Sequence, residues 1–394
     1  MRVLVAATGG AGHVTPLLPV AAACRRAGHD VTLVGPPGLE AVARREGLPF
    51  VPGAVPDDAE LGAVWARVPT VSFAEAERLV IGQVFATLDV RAMLPVMREV
   101  VRAWRPDVVV REPAEFASAV AAEEAGVPHV QVAVGLVAAH RQITAMAADA
   151  ADAWLPGLTE RIAATPYLTF FPASLDSGHG SDPPRTHRFR PPPAVSEVLP
   201  DHWPGDDRPL VYVTFGSVTA NVPTAAPIYD VALAAVADLP VRVLLTTGHG
   251  GGDPPVPSGP HVHVAPWVPQ ADVLARASAV VCHGGSGTVL GALAAGVPLV
   301  VTPLFADQPV NADRVAVVGA GVRVGLRVEG GPTAAVEPSD LREAVERVLS
   351  EPAFAVAARR LADEIATLPP VDGAVEVIAS AARAPTAAPA PPSG

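Results

Sequence analysis

Residues 280–294 read Val280-Val281-Cys282-His283-Gly284-Gly285-Ser286-Gly287-Thr288-Val289-Leu290-Gly291-Ala292-Leu293-Ala294. The apolar run up to Cys282 fits a buried strand, and Val289–Ala295 reads as a helix. Between them lie glycines and small hydroxyl residues. Glycines at a strand-to-helix turn let the backbone approach an anion closely. The first free N–H groups of the helix then point at it, and the helix dipole adds to the attraction. Ser286 and Thr288 add hydroxyl donors.

Working outward, the same alternation recurs. In the second half Leu210–Phe215, Val241–Thr246, Val262–Ala265, Ala279–Cys282 and Leu299–Thr302 read as strands, with a helix over Gln270–Ala277. In the first half Arg2–Ala7, Asp30–Val34, Asp107–Val110, His129–Val134 and Tyr167–Phe171 read as strands. Helices are expected over Pro16–Ala27 and about Phe116 to Ala125, and the stretches from about Val55 to Trp104 and about Ala138 to Ala164 read as mostly helical insertions. Strands alternating with helices mean βαβ units and a parallel sheet covered on both faces. The fold class is therefore α/β, with two doubly wound Rossmann-like domains and ligands held beyond the carboxyl ends of the strands. The boundaries fall at 1–171 for the first domain and 210–371 for the second. A Pro-, Asp-, Arg- and Ser-rich linker covers 172–209, a C-terminal helix at 372–383 packs back towards the first domain, and 384–394 forms a disordered Ala/Pro-rich tail.

Composition narrows the chemistry. The chain has 394 residues and a formal net charge of −12, with Arg supplying every basic side chain. Such a surface disfavours nucleic acid and anionic membranes as partners. Any diphosphate must then be held locally, by backbone amides and a helix terminus. The two cysteines, Cys24 and Cys282, each sit in an apolar stretch and read as buried thiols. No Cys/His group has zinc spacing, and there is no Asp-x-Asp, so no catalytic metal is expected. No uninterrupted apolar run is long enough to span a membrane, and the reading is a cytoplasmic protein.

Around the opening motif lie Trp267-Val268-Pro269-Gln270 and Asp307-Gln308-Pro309-Val310-Asn311-Ala312. The stretch from Trp267 to Gln308 resembles the nucleotide-sugar signature of family 1, GT-B-fold glycosyltransferases, in particular the antibiotic and macrolide enzymes of actinomycetes. The resemblance implies a second domain that binds a nucleotide sugar and a first domain that binds the acceptor, facing each other across a cleft. Trp267, with Val268 beside it, would stack on the base, and Gln270 would lie near the ribose. His283, Gly284, Gly285, Ser286, Gly287 and Thr288 would hold the diphosphate, with Ser217 as a second phosphate contact. Asp307 and Gln308 would bond the sugar hydroxyls. Plant members carry a Glu eight residues after the signature His, and it binds the ribose hydroxyls. Here that position is Gly291, which favours a dTDP-sugar and leaves a UDP-sugar open.

The first strand runs into Thr8-Gly9-Gly10-Ala11-Gly12-His13-Val14-Thr15-Pro16. A dinucleotide fingerprint fails here, because Thr15 stands where its third Gly should be and no acid follows the second strand. The stretch instead resembles the family's Gly-His-x-x-Pro motif, whose His is the general base. A His near its ordinary pKa suits removal of a hydroxyl proton. Its orienting carboxylate would be Glu112, with Glu115 as the alternative. Gly12 and the apolar Trp65, Phe85 and Met146 are candidate acceptor contacts. The function implied is inverting, metal-independent transfer of a sugar to a hydroxyl of a small lipophilic aglycone, without a cofactor beyond the co-substrate. A homodimer is left open. A silent nucleotide-sugar-binding or activator homologue is the other reading.

Overall fold

The computed structural model describes residues 1–176, 182–192, 207–216, 219, 225–248, 259–325 and 336–384. The chain divides into two compact units. One comprises Met1–Phe170, Ser177–Pro192 and Leu368–Gly394, and the other Phe171–Asp176 and Pro193–Thr367.

The first unit carries seven strands. They are β1 (Arg2–Ala6), β2 (Asp30–Gly35), β3 (Phe50–Pro52), β4 (Val108–Arg111), β5 (His129–Val132), β6 (Tyr167–Thr169) and β7 (Thr186–Arg188). Their order is β3-β2-β1-β4-β5-β6-β7 and every pairing is parallel. The central strands are Val- and Leu-rich without polar alternation because helices cover both faces. Val3, Leu4, Val5, Val108, Val109 and Val110 are fully buried, each burial contributing about 1.5–3 kcal/mol. The chain adds strands on one side of β1 and then, with β4, on the other. The connections leaving the carboxyl ends of β1 and β4 therefore diverge and leave a crevice, the usual place for a ligand in such sheets.

The second unit repeats the pattern with β8 (Leu210–Thr214), β9 (Arg242–Thr246), β10 (Val262–Ala265), β11 (Ala279–Cys282), β12 (Leu299–Val301) and β13 (Gly321–Arg323). Their order is β10-β9-β8-β11-β12-β13, again all parallel. The strand order reverses between β8 and β11, so the turn after Cys282 lies at this sheet's own crevice. Two parallel sheets with flanking helices were expected, and both are present.

Three features depart from the sequence reading. The stretch read as a linker from 172 contains β7, a short edge strand in register with β6 (Tyr167 opposite Thr186); a Pro-rich composition hid its three residues. Before it, Phe171–Asp176 belongs to the second unit. There the buried Arg314 donates from Nε to Leu175 O at 2.7 Å and from Nη2 to Ser174 O at 3.1 Å. Residues 193–206 and the tail from 385 lie outside the described residues. Second, β3 and β13 were not anticipated, each having only three residues.

Third, Phe73–Trp104 forms one helical run of 32 residues, long and apolar enough by length and composition to cross a membrane. Its helicity was expected; its length and apolar character were not, because scattered polar residues interrupt every apolar run. Within the unit its apolar side chains are used for packing. Ile81, Ala86, Val90, Met93, Leu94 and Met97 join the main core, while Leu79, Val84 and Leu88 join a smaller cluster. Its middle, Leu79–Asp89, is wound as a π-helix, a form that recurs at functional sites. The C-terminal helix Ala374–Arg383 belongs to the first unit, where Asp372 just before it pairs with Arg26 at 2.7 Å. Both cysteines are buried, unbridged thiols, and burial pushes Cys24 up to about 11 and Cys282 to about 12.

Candidate active site

In the first unit, Ala6 at the end of β1 is in register with Arg111 at the end of β4. The segments leaving these strands therefore start side by side. One carries His13 in the short helix Ala11–Val14, and the other carries Glu112. Nδ1 of His13 stands 3.3 Å from Oε2 of Glu112. Glu112 is fully buried. It accepts from Thr8 N at 3.2 Å, Thr8 Oγ1 at 2.9 Å and Ala114 N at 2.6 Å. Burial alone would raise its pKa. The facing imidazole and these donors outweigh that and hold the carboxyl below its ordinary range. A carboxylate on Nδ1 selects the tautomer whose lone pair is on Nε2. The ring packs edge-on to Phe85, with centroids 5.4 Å apart.

Of the two acids offered by the sequence, the structure brings Glu112 to His13. Glu115 instead caps the helix Ala117–Ala125, accepting from Ser118 N at 3.1 Å and from the Ser118 hydroxyl. Burial raises its pKa, opposed by the nearby Arg111. Arg111 is itself fully buried and satisfied by Glu115 O at 2.7 Å, Pro113 O and Gln131 Oε1.

A cavity of about 230 Å³ opens next to Thr8 and Phe85, which touch Glu112 and His13; neither member of the pair lines it. Thr8, Trp65, Phe85, Met93, Glu115 and Phe116 are among its walls. Trp65 and Phe85, offered by the sequence as acceptor contacts, both line it. Met146 and Gly12 do not line it: Met146 packs half-buried against the core, and Gly12 is exposed on the His13 helix. The sequence reading missed Asp89, which also lines the cavity at the end of the π-helical segment. Burial, with Glu115 and Glu112 nearby, pushes its pKa up to about 7, while His13 acts in the opposite sense. Nothing in the local sequence marks it, since its neighbours arrive from other elements.

In the second unit the helix Ser286–Ala294 follows β11 after three residues. Gly284 has φ +89°, and a Cβ there would meet Val301 Cγ1 at 2.7 Å and Gln308 O at 3.2 Å, so the turn needs glycine on both counts. The first intrahelical bond runs from Val289 N to Gly285 O. The N–H groups of Ser286, Gly287 and Thr288 precede it and are the ones a helix start offers to an anion. Gly287 is exposed, and a Cβ there would meet nothing within 4 Å. His283 is buried, and burial lowers its pKa to about 4. It is neutral at physiological pH and brings no positive charge.

Asp307 and Gln308 open the helix Gln308–Val317. Ala306 before them has φ +54°, an unusual conformation for a residue with a side chain. Asp307 makes no side-chain cap to its own helix. Its Oδ2 accepts from Ser286 Oγ at 2.5 Å and from Asn311 Nδ2 at 2.9 Å. Gln308 is buried, and its Oε1 is occupied by Leu304 N at 2.8 Å and Phe305 N at 2.9 Å. Asn311 stood inside the sequence motif without a role; its position one helical turn after Asp307 was the available signal. Trp267 is 57% exposed on the segment between β10 and the helix Gln270–Leu274. Val268 and Gln270 are half-buried. A Cβ at Gly291 would come within 2.7 Å of Gln270 Nε2, so the absence of a side chain at 291 makes room for that amide. Ser217 lies outside the described residues.

Residues 202–379 match the family model for UDP-glucoronosyl and UDP-glucosyl transferase, and residues 22–161 match that for the N-terminal domain of erythromycin biosynthesis protein CIII-like proteins. The chain is 32% identical to the L-demethylnoviosyl transferase of Streptomyces niveus, over 98% of this chain and all of that one. Its fold superposes on the glycosyltransferase SnogD from Streptomyces nogalater with a TM-score of 0.73 and 26% identity, covering 97% and 99% of the two chains. The glycosyltransferase VinC, solved in complex with dTDP, gives a TM-score of 0.70 at 25% identity, with 97% and 99% covered. The strand order of both sheets, the two crevice motifs and these similarities agree: the chain is a glycosyltransferase and belongs to the family 1, GT-B-fold enzymes, among those of actinomycete antibiotic pathways.

Proposed function

We propose that the protein transfers a sugar from a nucleoside diphosphate, preferably dTDP, to a hydroxyl of a small lipophilic natural-product aglycone, with inversion and without a metal or cofactor. It acts in the cytoplasm, with no nucleic-acid or membrane partner. The observation that carries this is the His13–Glu112 pair, which an apolar cavity adjoins through Thr8 and Phe85. In the proposed reaction Nε2 of His13 takes the acceptor hydroxyl proton as the oxygen attacks the anomeric carbon. The new glycosidic C–O bond forms as the bond from that carbon to the diphosphate oxygen breaks. Glu112 stabilises the imidazolium that results. The departing diphosphate gathers charge, which the N–H groups opening the helix Ser286–Ala294 offset. Asp307 and Gln308 contact the sugar, and Trp267 stacks on the base.

The dTDP preference is supported by Gly291, which supplies no carboxylate for a ribose 2′-hydroxyl, the nearest side-chain atom there being the Gln270 amide nitrogen, a donor. That VinC was solved with dTDP supports the same preference. The test is to incubate the purified protein with dTDP-glucose or UDP-glucose and a panel of phenolic and macrolide aglycones, with and without EDTA. Mass spectrometry reads conjugates, and proton NMR reads the anomeric configuration. Product formed equally well by His13→Ala would remove the base from the mechanism, and tighter binding of UDP than of dTDP would overturn the donor preference.

A further inference from the structure

Ser286 begins the helix that faces the diphosphate, and its hydroxyl would ordinarily be counted among the phosphate donors. Its hydrogen bonds point elsewhere. Oγ lies 2.5 Å from Asp307 Oδ2, an acceptor, and 3.0 Å from Asn311 Nδ2, a donor. A hydroxyl has one proton. With that proton on the carboxylate, none remains for a phosphate oxygen.

The orientation of Asn311 is fixed by the same accounting. Nδ2 is 2.8 Å from Gly284 O and 2.9 Å from Asp307 Oδ2, both of which can only accept. A flipped amide would set oxygen against oxygen. Asn311 is 1% exposed, and its Oδ1 is buried with no partner among the described residues. Such an orphan acceptor is destabilising, so what holds Asn311 in place is the work of Nδ2. That work ties the turn carbonyl of Gly284, the helix start at Ser286 and the carboxylate of Asp307 into one unit.

We propose that Ser286 and Asn311 are positioning residues for Asp307. They fix its carboxylate to read the hydroxyls of the donor sugar, and they leave the diphosphate to the backbone N–H groups of Ser286, Gly287 and Thr288. The proposal rests on the reading of Asp307 as a sugar contact. It assigns the Ser286 side chain to sugar recognition and its backbone to phosphate binding.

Calorimetric titration of the full chain with dTDP and with dTDP-glucose separates the two roles. Ser286→Ala should leave the dTDP Kd within about threefold and raise that of dTDP-glucose roughly tenfold or more, the range for losing a hydrogen bond to a charged group. Asn311→Ala also frees the Gly284 carbonyl of the phosphate turn, so it should weaken dTDP somewhat and dTDP-glucose by a clearly larger factor. Asp307→Asn should weaken dTDP-glucose alone, and Ser286→Ala added to it should weaken it no further. If Ser286→Ala weakens dTDP itself by about tenfold, or if the two losses add, the hydroxyl grips phosphate and the proposal fails while the sugar reading of Asp307 stands. If Asp307→Asn leaves dTDP-glucose binding intact, that reading fails and takes the proposal with it.

Discussion

His13 and Glu112 meet because Ala6 and Arg111 are neighbours across the β1–β4 pairing. Parallel strands send their carboxyl ends the same way, so the residues that follow each strand share one edge of the sheet. Three donors and an imidazole surround a carboxylate that has lost all its water. Glu112 is ionised because its neighbours replace that water, and the arrangement ties local stability to the chemistry of His13.

Glu112→Gln tests both halves of that link. Transfer should fall by about a hundredfold to ten-thousandfold, mainly in kcat, since the variant no longer stabilises an imidazolium. Stability should fall as well, by about 1–3 kcal/mol, because a Gln cannot accept from all three donors. A carboxyl depressed on folding contributes stability above its unfolded pKa, near 4.5, and loses it as pH falls through the lower folded value. The gap in melting temperature between wild type and variant should therefore be full at pH 7 and shrink below about pH 4.5.

Asp89 has the opposite sign. Its pKa rises on folding from 3.8 to about 7, so ionisation is disfavoured in the folded state and stability declines as pH climbs through that window. Asp89→Asn removes the penalty. The variant should melt above wild type at pH 8, with the difference narrowing towards pH 4. Equal melting curves at pH 8 would show that Asp89 is well solvated.

Gly284→Ala should be severe. The φ of +89° is strained for any side chain, and the new methyl would press on Val301 Cγ1 and the Gln308 carbonyl. A loss of about 1–3 kcal/mol is expected from the backbone conformation alone. Thermal unfolding measures it, and dTDP titration should show a parallel loss of binding as the turn shifts. Gly287→Ala, at a position with open space and no positive φ, is the control and should be close to neutral in stability.

Trp267→Ala separates binding from folding. The side chain is mostly exposed, so unfolding should change by no more than about 0.5 kcal/mol. The affinity for dTDP should drop about tenfold, the size of a lost aromatic stacking contact. Unchanged affinity would mean that the ring takes no part in holding the base.

Most of the strands, their parallel pairing and the two glycine-rich turns were legible along the chain. Each is local: an unbroken apolar run such as Val280–Cys282 means a strand covered on both faces, and glycines before a helix mean a backbone open to an anion. The three-residue strands β3, β7 and β13 were not legible, because, unlike β6 and β12, they lie in no longer apolar run that would mark them. Nor was the π-helical turn of Leu79–Asp89, whose hydrophobic pattern looks like that of any buried helix.

Partnering between side chains was beyond the sequence for a different reason. Glu112 and Glu115 both follow β4, and only the register with β1 sends one to His13 and the other to Ser118. Ser286 and Asp307 belong to different turns, and only the packing of the two helices they begin gives the serine proton to the aspartate. A sequence determines the backbone conformations that its own neighbouring residues favour. Which acid is ionised, and which hydroxyl is already committed, depends on atoms from distant strands and helices brought within 3 Å or so of one another. The tertiary structure alone sets those distances.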